Sequence, residues 1–156
     1  MTNKAIRTLV LAALFAALAC VATMVIQIPS PMNGYVNLGD CFVLLSGWLL
    51  GPWWGGAAGG IGSALADMFT GYMHYAPGTF LIKAVMALIA WALAKALISR
   101  FRGKRALCKG ISAVVAELFM VVGYYFYAGL LLGKGLGALG AAASIPGNLV
   151  QGAVGA

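Results

Sequence analysis

GYVNLGDCFVLLSGWLLGPWWGGAAGGIGSALADMFTGYMHYAPGTFLIK, residues 34–83, is the stretch around which the rest of the chain is organised. It holds two of the three acidic residues (Asp40 and Asp67), the only histidine (His74), and a lysine just inside an apolar run (Lys83). It also carries the densest glycine usage in the protein. In an oily chain these are the residues whose presence needs a physical reason. The stretch reads as the wall and lid of a small-molecule site open to one side of a membrane.

The surroundings set that reading. Of 156 residues 63% are hydrophobic and 8% charged, with a mean hydropathy of +0.98. Soluble domains carry roughly 25% charged residues, so this chain cannot clothe a water-facing surface. Crossing a hydrocarbon core of ~30 Å takes about 20 helical residues. The apolar runs are too long, and alternate too little, for a β-barrel. The expectation is an all-α integral membrane protein, a bundle of six transmembrane helices forming one membrane domain over residues 1–156. No cleavable signal peptide is evident. The net charge of +7 sits at span ends, where it orients helices, and implies no nucleic-acid partner. Cys20, Cys41 and Cys108 lack metal-ligand spacing and read as small apolar side chains.

Outward from the central stretch, the spans are expected at about 8–28, 39–50, 53–70, 79–98, 111–132 and 138–156. In the first, small residues recur every four positions: Ala12 and Ala16 on one stripe, Ala13 and Ala17 beside it. In lipid such stripes pack helices closely, either within the chain or against a partner helix. Pro29 and Pro31 stop this span. Asp40 sits where a carboxylate caps a helix start or meets a ligand. Gly51-Pro52 makes a turn, and Gly55, Gly59, Ser63 and Asp67 then share one inward face. A carboxylate at membrane depth is paired, in a wet cavity, or functional.

Lys83 either snorkels to the interface or neutralises Asp67 or Asp40. Arg100, Arg102, Lys104, Arg105 and Lys109 form the one basic cluster, so that loop is expected in the cytoplasm. The amino terminus, with Lys4 and Arg7, is then cytoplasmic too, and the loops at 29–38 and 71–78 lie outside. In the fifth span Glu117 is expected about 10 Å from the cytoplasmic end, buried among helices or protonated. Gly133 to Gly137 reads as an outer turn. The sixth span, kinked at Pro146-Gly147, ends without a basic anchor and reads as truncated.

Sorted by depth, Asn37, Asp40, Asp67, Lys83, Tyr124, Asn148 and Gln151 gather in the outer half, with Tyr75 in the adjoining loop. An apolar pocket with a few convergent polar groups is the usual form of a small-molecule site. Tyrosines stack on a flat ring there, while Asp, Asn and Lys fix its heteroatoms. The chain shows no catalytic set, no metal pair and no phosphate-cradling motif, so neither an enzyme nor a resident cofactor is expected.

The runs IPSPMNGYVNLGD (28–40), LLGPWWGGAAGGIGSALADM (49–68) and GYMHYAPGTFLIKAVMA (71–87) resemble the substrate-binding (S) components of energy-coupling factor (ECF) transporters, the prokaryotic vitamin importers. NLGD and LADxxxGYxxYAP are the specific segments. The likeness is to the branch around riboflavin, hydroxymethylpyrimidine and pyridoxine-type precursors. It implies a six-helix bundle in the plasma membrane with both termini cytoplasmic, and a vitamin site near the outer face under the first outer loop. It further implies docking of an AxxxA stripe, here Ala12/Ala16 or Ala13/Ala17, onto a membrane coupling (T) subunit driven by two ATP-binding-cassette ATPases. The alternative is a stand-alone ion-gradient-coupled carrier with Asp67 or Glu117 as proton relay, but no inverted repeat supports it.

Overall fold

The computed structural model describes residues 3–25, 28–30, 34–101, 103–133 and 141–156, with backbone alone at 28–30, 34–36 and 141. Five α-helices occur among them: α1 (Asn3–Val25), α2 (Gly39–Phe69), α3 (Ala76–Arg100), α4 (Arg105–Phe126) and α5 (Ile145–Gly155). A π-helical turn, Tyr127–Leu131, extends α4, and a 3-10 turn, Ala141–Ser144, leads into α5. Between α1 and α2 lies an antiparallel hairpin of β1 (Ile28–Ser30) and β2 (Gly34–Val36), in the register Ile28 opposite Val36. Four helices (α1, α2, α3 and α4 with its extension) are long and apolar enough to cross a membrane.

Six separate helices are therefore not what the chain forms. The expected second and third spans are two arms of α2, joined at Gly51, whose φ of 85° and ψ of −175° interrupt the helix ahead of Pro52. Only glycine adopts that φ without steric cost. The arms fold back on each other: Ser46 Oγ donates to the Gly55 carbonyl at 3.0 Å. A Cβ on Gly59 would lie 2.9 Å from Val43 Cγ1. In a straight helix residues 43 and 59 would stand about 24 Å apart. The first arm, Gly39 to Leu50, is about 18 Å long, too short to cross ~30 Å by itself, so it turns back inside the bundle.

The remaining boundaries shift for equally local reasons. Pro146 occupies the first turn of α5 and starts that helix instead of kinking one, because its missing N–H is unneeded there. With 11 residues, α5 is about 16 Å long, shorter than the expected sixth span. Residues 138–140 of that span, the 134–137 turn, Arg102, and the ends and tip of the first loop at 26–27 and 31–33 lie outside the described residues.

Small residues set the packing. A Cβ on Gly47 would lie 2.4 Å from the Ala87 carbonyl oxygen, and one on Gly62 2.3 Å from that of Ala16. Thus α2 presses backbone to backbone against both α3 and α1. Apolar burial gains nothing over lipid tails, so such close approach is what holds membrane helices together. The core between them is Val43, Leu44, Met86, Ala87, Ala90 and Met120 with their neighbours.

Aromatic residues divide by end. The four tryptophans lie near the Gly51 fold and on α3, toward the basic loop. There Lys109 Nζ sits 5.3 Å from the centre of the Trp48 ring and Lys95 Nζ 4.8 Å from that of Trp91. The six tyrosines lie in β2, the 70–75 turn and the far end of α4, at the opposite end.

Gly47→Ala and Gly62→Ala are each expected to cost about 1–3 kcal/mol by overpacking. Gly110→Ala, where a Cβ meets nothing within 4 Å, is expected to leave stability unchanged or slightly raised. Thermal melting in detergent micelles checks all three.

Candidate functional site

Where α1, α2, α3 and α5 meet, a continuous polar chain crosses the apolar interior. Asn37, just ahead of α2, accepts the Gly39 backbone N–H on its Oδ1 at 2.8 Å. The Thr23 hydroxyl donates to the same oxygen at 3.3 Å. Leu38 occupies the N-cap position of α2 and makes no side-chain cap bond; Asn37, one residue earlier, takes up the free Gly39 amide instead, and the Asp40 carboxylate is left for longer-range partners. Asn37 Nδ2 donates to Gln151 Oε1 at 3.2 Å, and Gln151 Nε2 donates to Asp40 Oδ2 at 2.6 Å. The other Asp40 oxygen takes the Lys83 ammonium in a buried ion pair.

Lys83 does not snorkel. Helix α3 begins at Ala76 and not at 79, which sets Lys83 two turns deep, and it is 2% exposed. Its ammonium lies 5.6 Å from the centre of the Tyr124 ring. The Tyr124 hydroxyl donates to Thr79 Oγ1 at 3.0 Å, which fixes the ring as a side wall. Of the residues singled out from sequence, the structure thus joins Asn37, Asp40, Lys83, Tyr124 and Gln151.

The others are placed around them. Asp67 is buried in the last two turns of α2, with Ser63 buried one turn before it. Tyr75 is half-buried at the tyrosine-rich end, 6.2 Å from the Tyr127 ring and 4.8 Å from that of His74. Tyr127 lies over Gly78, where a Cβ would come within 2.5 Å of its ring, and donates to the His74 carbonyl at 3.0 Å. Asn148 is half-buried and takes no part in the hydrogen-bonded chain.

Glu117 was left out of the outer group by counting depth from Ile111. Helix α4 begins at Arg105, so Glu117 is about 18 Å along it, near mid-bundle. It is 3% exposed and lies against Gly152 and Gly155 of α5, beside Asp40. A longer estimate of the helix start, from Arg105 at the edge of the basic cluster, would have placed it there.

The first span's two stripes separate cleanly. Ala12 is buried and the Ala16 backbone meets Gly62, so that stripe packs within the chain. Ala13 and Ala17 are exposed on the outer side of α1. An apolar groove of about 430 Å³ between α3 and α4, lined by Gly78, Gly123, Leu81 and Phe126 among others, is open to the surface, and none of the residues of the polar chain lines it.

A family model for the S component of ECF-type riboflavin transporters matches residues 3–156, which takes in every residue of the polar chain. The chain belongs to this family. Members are substrate-binding transport subunits of ECF vitamin transporters and not enzymes. A Pyrococcus woesei protein, itself described as uncharacterized, is 37% identical over 132 residues, covering 84% of this chain and 82% of its own. A solved structure, described as the S component of a bacterial ECF transporter, superposes with a TM-score of 0.68 at 24% identity, over 95% of this chain and 88% of that one. That likeness is one of fold. With its membrane-spanning helices, the chain is a multi-pass membrane protein of the ECF S-component family.

Lys83→Met strands the Asp40 carboxylate in the interior and is expected to cost about 3–5 kcal/mol. Adding Asp40→Asn removes the stranded charge and is expected to restore most of the loss. Melting temperatures of the single and double variants in nanodiscs check this; an unchanged single variant would show that the pair does not fasten the bundle.

Proposed function

We propose that this protein captures a vitamin or vitamin precursor, a small heteroaromatic such as riboflavin, hydroxymethylpyrimidine or pyridoxine, at the tyrosine-rich face and passes it to an ATP-driven complex. The buried chain from Asn37 through Gln151 and Asp40 to Lys83 carries the reading. Ionic and amide groups are costly at membrane depth, and their convergence from separate helices in a transport subunit fits a recognition site. In this reading Asn37, Asp40, Asp67, Lys83, Asn148 and Gln151 supply hydrogen bonds and charge. Tyr75 and Tyr124 supply flat surfaces for the ring.

The face bearing Lys4, Arg7 and the basic loop is the cytoplasmic one, by the excess of Lys and Arg there. The tyrosines, the hairpin and the 70–75 turn then face outward, where substrate arrives. The coupling subunit docks on Ala13 and Ala17, whose small side chains let a partner helix approach. Two ATPases bound to that subunit supply the energy, in keeping with a chain that has no nucleotide-binding motif.

Purified protein is expected to retain or bind one member of a vitamin panel, read by mass spectrometry of the extracted ligand and by equilibrium dialysis. Failure to bind any member would sink the receptor reading. Ala13→Leu with Ala17→Leu is expected to abolish co-purification with the coupling subunit while ligand binding persists. Ala16→Leu is instead expected to lower the melting temperature, because that position packs against α2.

A further inference from the structure

The end of the bundle away from the tyrosines carries surface charge of one sign. All three acidic side chains of the protein, Asp40, Asp67 and Glu117, are buried in the interior. The ion pair found among the described residues takes up Lys83. Lys95, Arg100, Lys104, Arg105 and Lys109, from the last turns of α3 to the first turns of α4, therefore meet no acidic side chain at the surface.

Two of these ammonium groups are held in place. Lys95 Nζ and Lys109 Nζ each lie over an indole ring, that of Trp91 at 4.8 Å and that of Trp48 at 5.3 Å. The rings are fixed in turn by the frame. The Trp48 Nε1–H is shared between the Ala90 carbonyl of α3 at 3.1 Å and Ser112 Oγ of α4 at 3.2 Å. Trp91 borders the fold of α2, its Nε1 3.9 Å from where a Cβ on Gly51 would lie. A free lysine side chain loses rotamer freedom when it binds an anion, and a ring that already positions it reduces that loss.

Depth decides which anion fits. Lys95 precedes the end of α3 at Arg100, and Lys109 follows the start of α4 at Arg105. They stand about 8 Å and about 6 Å along their helices from the loop. Apolar side chains are exposed around the same end: Trp53 is 81% exposed, Leu49 63% and Leu107 58%. Cations among exposed indole and aliphatic surface belong at the level where headgroups meet acyl chains. An acidic protein surface approaching from water meets Arg100, Lys104 and Arg105 first. A lipid phosphate arrives from the side and meets Lys95 and Lys109, as basic sites between membrane helices do.

We propose that Lys95 and Lys109, with Trp91 and Trp48 behind them, form a binding site for the phosphate of an anionic phospholipid. A lipid held there fastens the Gly51 fold, where α2 turns back on itself, to one leaflet. The site lies at the opposite end from the tyrosines and is independent of which ligand the buried polar chain recognises.

All four tryptophans lie at this end, so their fluorescence reports on the site. The test places the full chain in vesicles of equimolar phosphatidylcholine and phosphatidylglycerol, with bromine on the acyl chains of one lipid or the other. Brominated phosphatidylglycerol is expected to quench more strongly, with a relative association constant of about fivefold over phosphatidylcholine that falls as salt is raised. Lys95→Gln with Lys109→Gln, both outside the packed core, is expected to melt like wild type and bring that ratio close to one. Lys4→Gln with Arg7→Gln removes the same charge from α1 and is expected to leave most of the preference. Equal quenching by the two lipids in wild type would overturn the proposal and leave the basic surface to a protein partner. Equal loss in both double variants would also overturn it, because a diffuse field would then replace a site. Should the lysine variant fail to fold, a wild-type preference unmoved by salt would overturn it instead.

Discussion

An ammonium and a carboxylate, Lys83 and Asp40, meet in the middle of an apolar bundle, and much of the remaining structure follows from keeping them there. Neither is tolerable alone at that depth, and a buried pair repays its desolvation only when its remaining valences are also met. Here Gln151 meets the second Asp40 oxygen and Asn37 in turn meets Gln151. One charge pair thereby ties α3 to the start of α2, α2 to the short α5, and α5 back to the loop ahead of α2. A helix of 11 residues has little hold of its own in a membrane, and these bonds are among its anchors.

Around this polar centre the packing is made of very small residues. Gly47, Gly55 and Gly62 bring α2 against α3, against its own first arm and against α1. The fold at Gly51 allows α2 to enter and leave at the same end, so Asp40 and Asp67, at its two extremities, come to the same side of the molecule. A transport subunit needs a rigid frame that holds charged groups in oil, and the glycine-packed helices suit that role.

Much of this was legible in the residues. Composition alone required a membrane bundle, and the four-residue spacing of Gly55, Gly59, Ser63 and Asp67 named a buried face that the structure also buries. Asn37, Asp40, Lys83, Tyr124 and Gln151 could be gathered from depth, because an expensive side chain in a small bundle with short loops has few places to go. Errors arose where depth was counted from the wrong helix start. Beginning α3 at 79 left Lys83 within reach of the interface, and beginning α4 at Ile111 put Glu117 too near the cytoplasmic end.

What the sequence determined by itself was the solvent the protein lives in, the direction of its charge asymmetry, and which side chains are too costly to be incidental. Pairing was decided only by the tertiary structure: that Lys83 meets Asp40, that Asn37 and not Asp40 takes up the first free amide of α2, and that Ala16 packs inward while Ala13 and Ala17 face out. The reason is physical. Burial cost belongs to a residue type and can be read one position at a time, whereas a partner is chosen by the few ångströms of helix rotation and register that close packing of glycines and alanines sets.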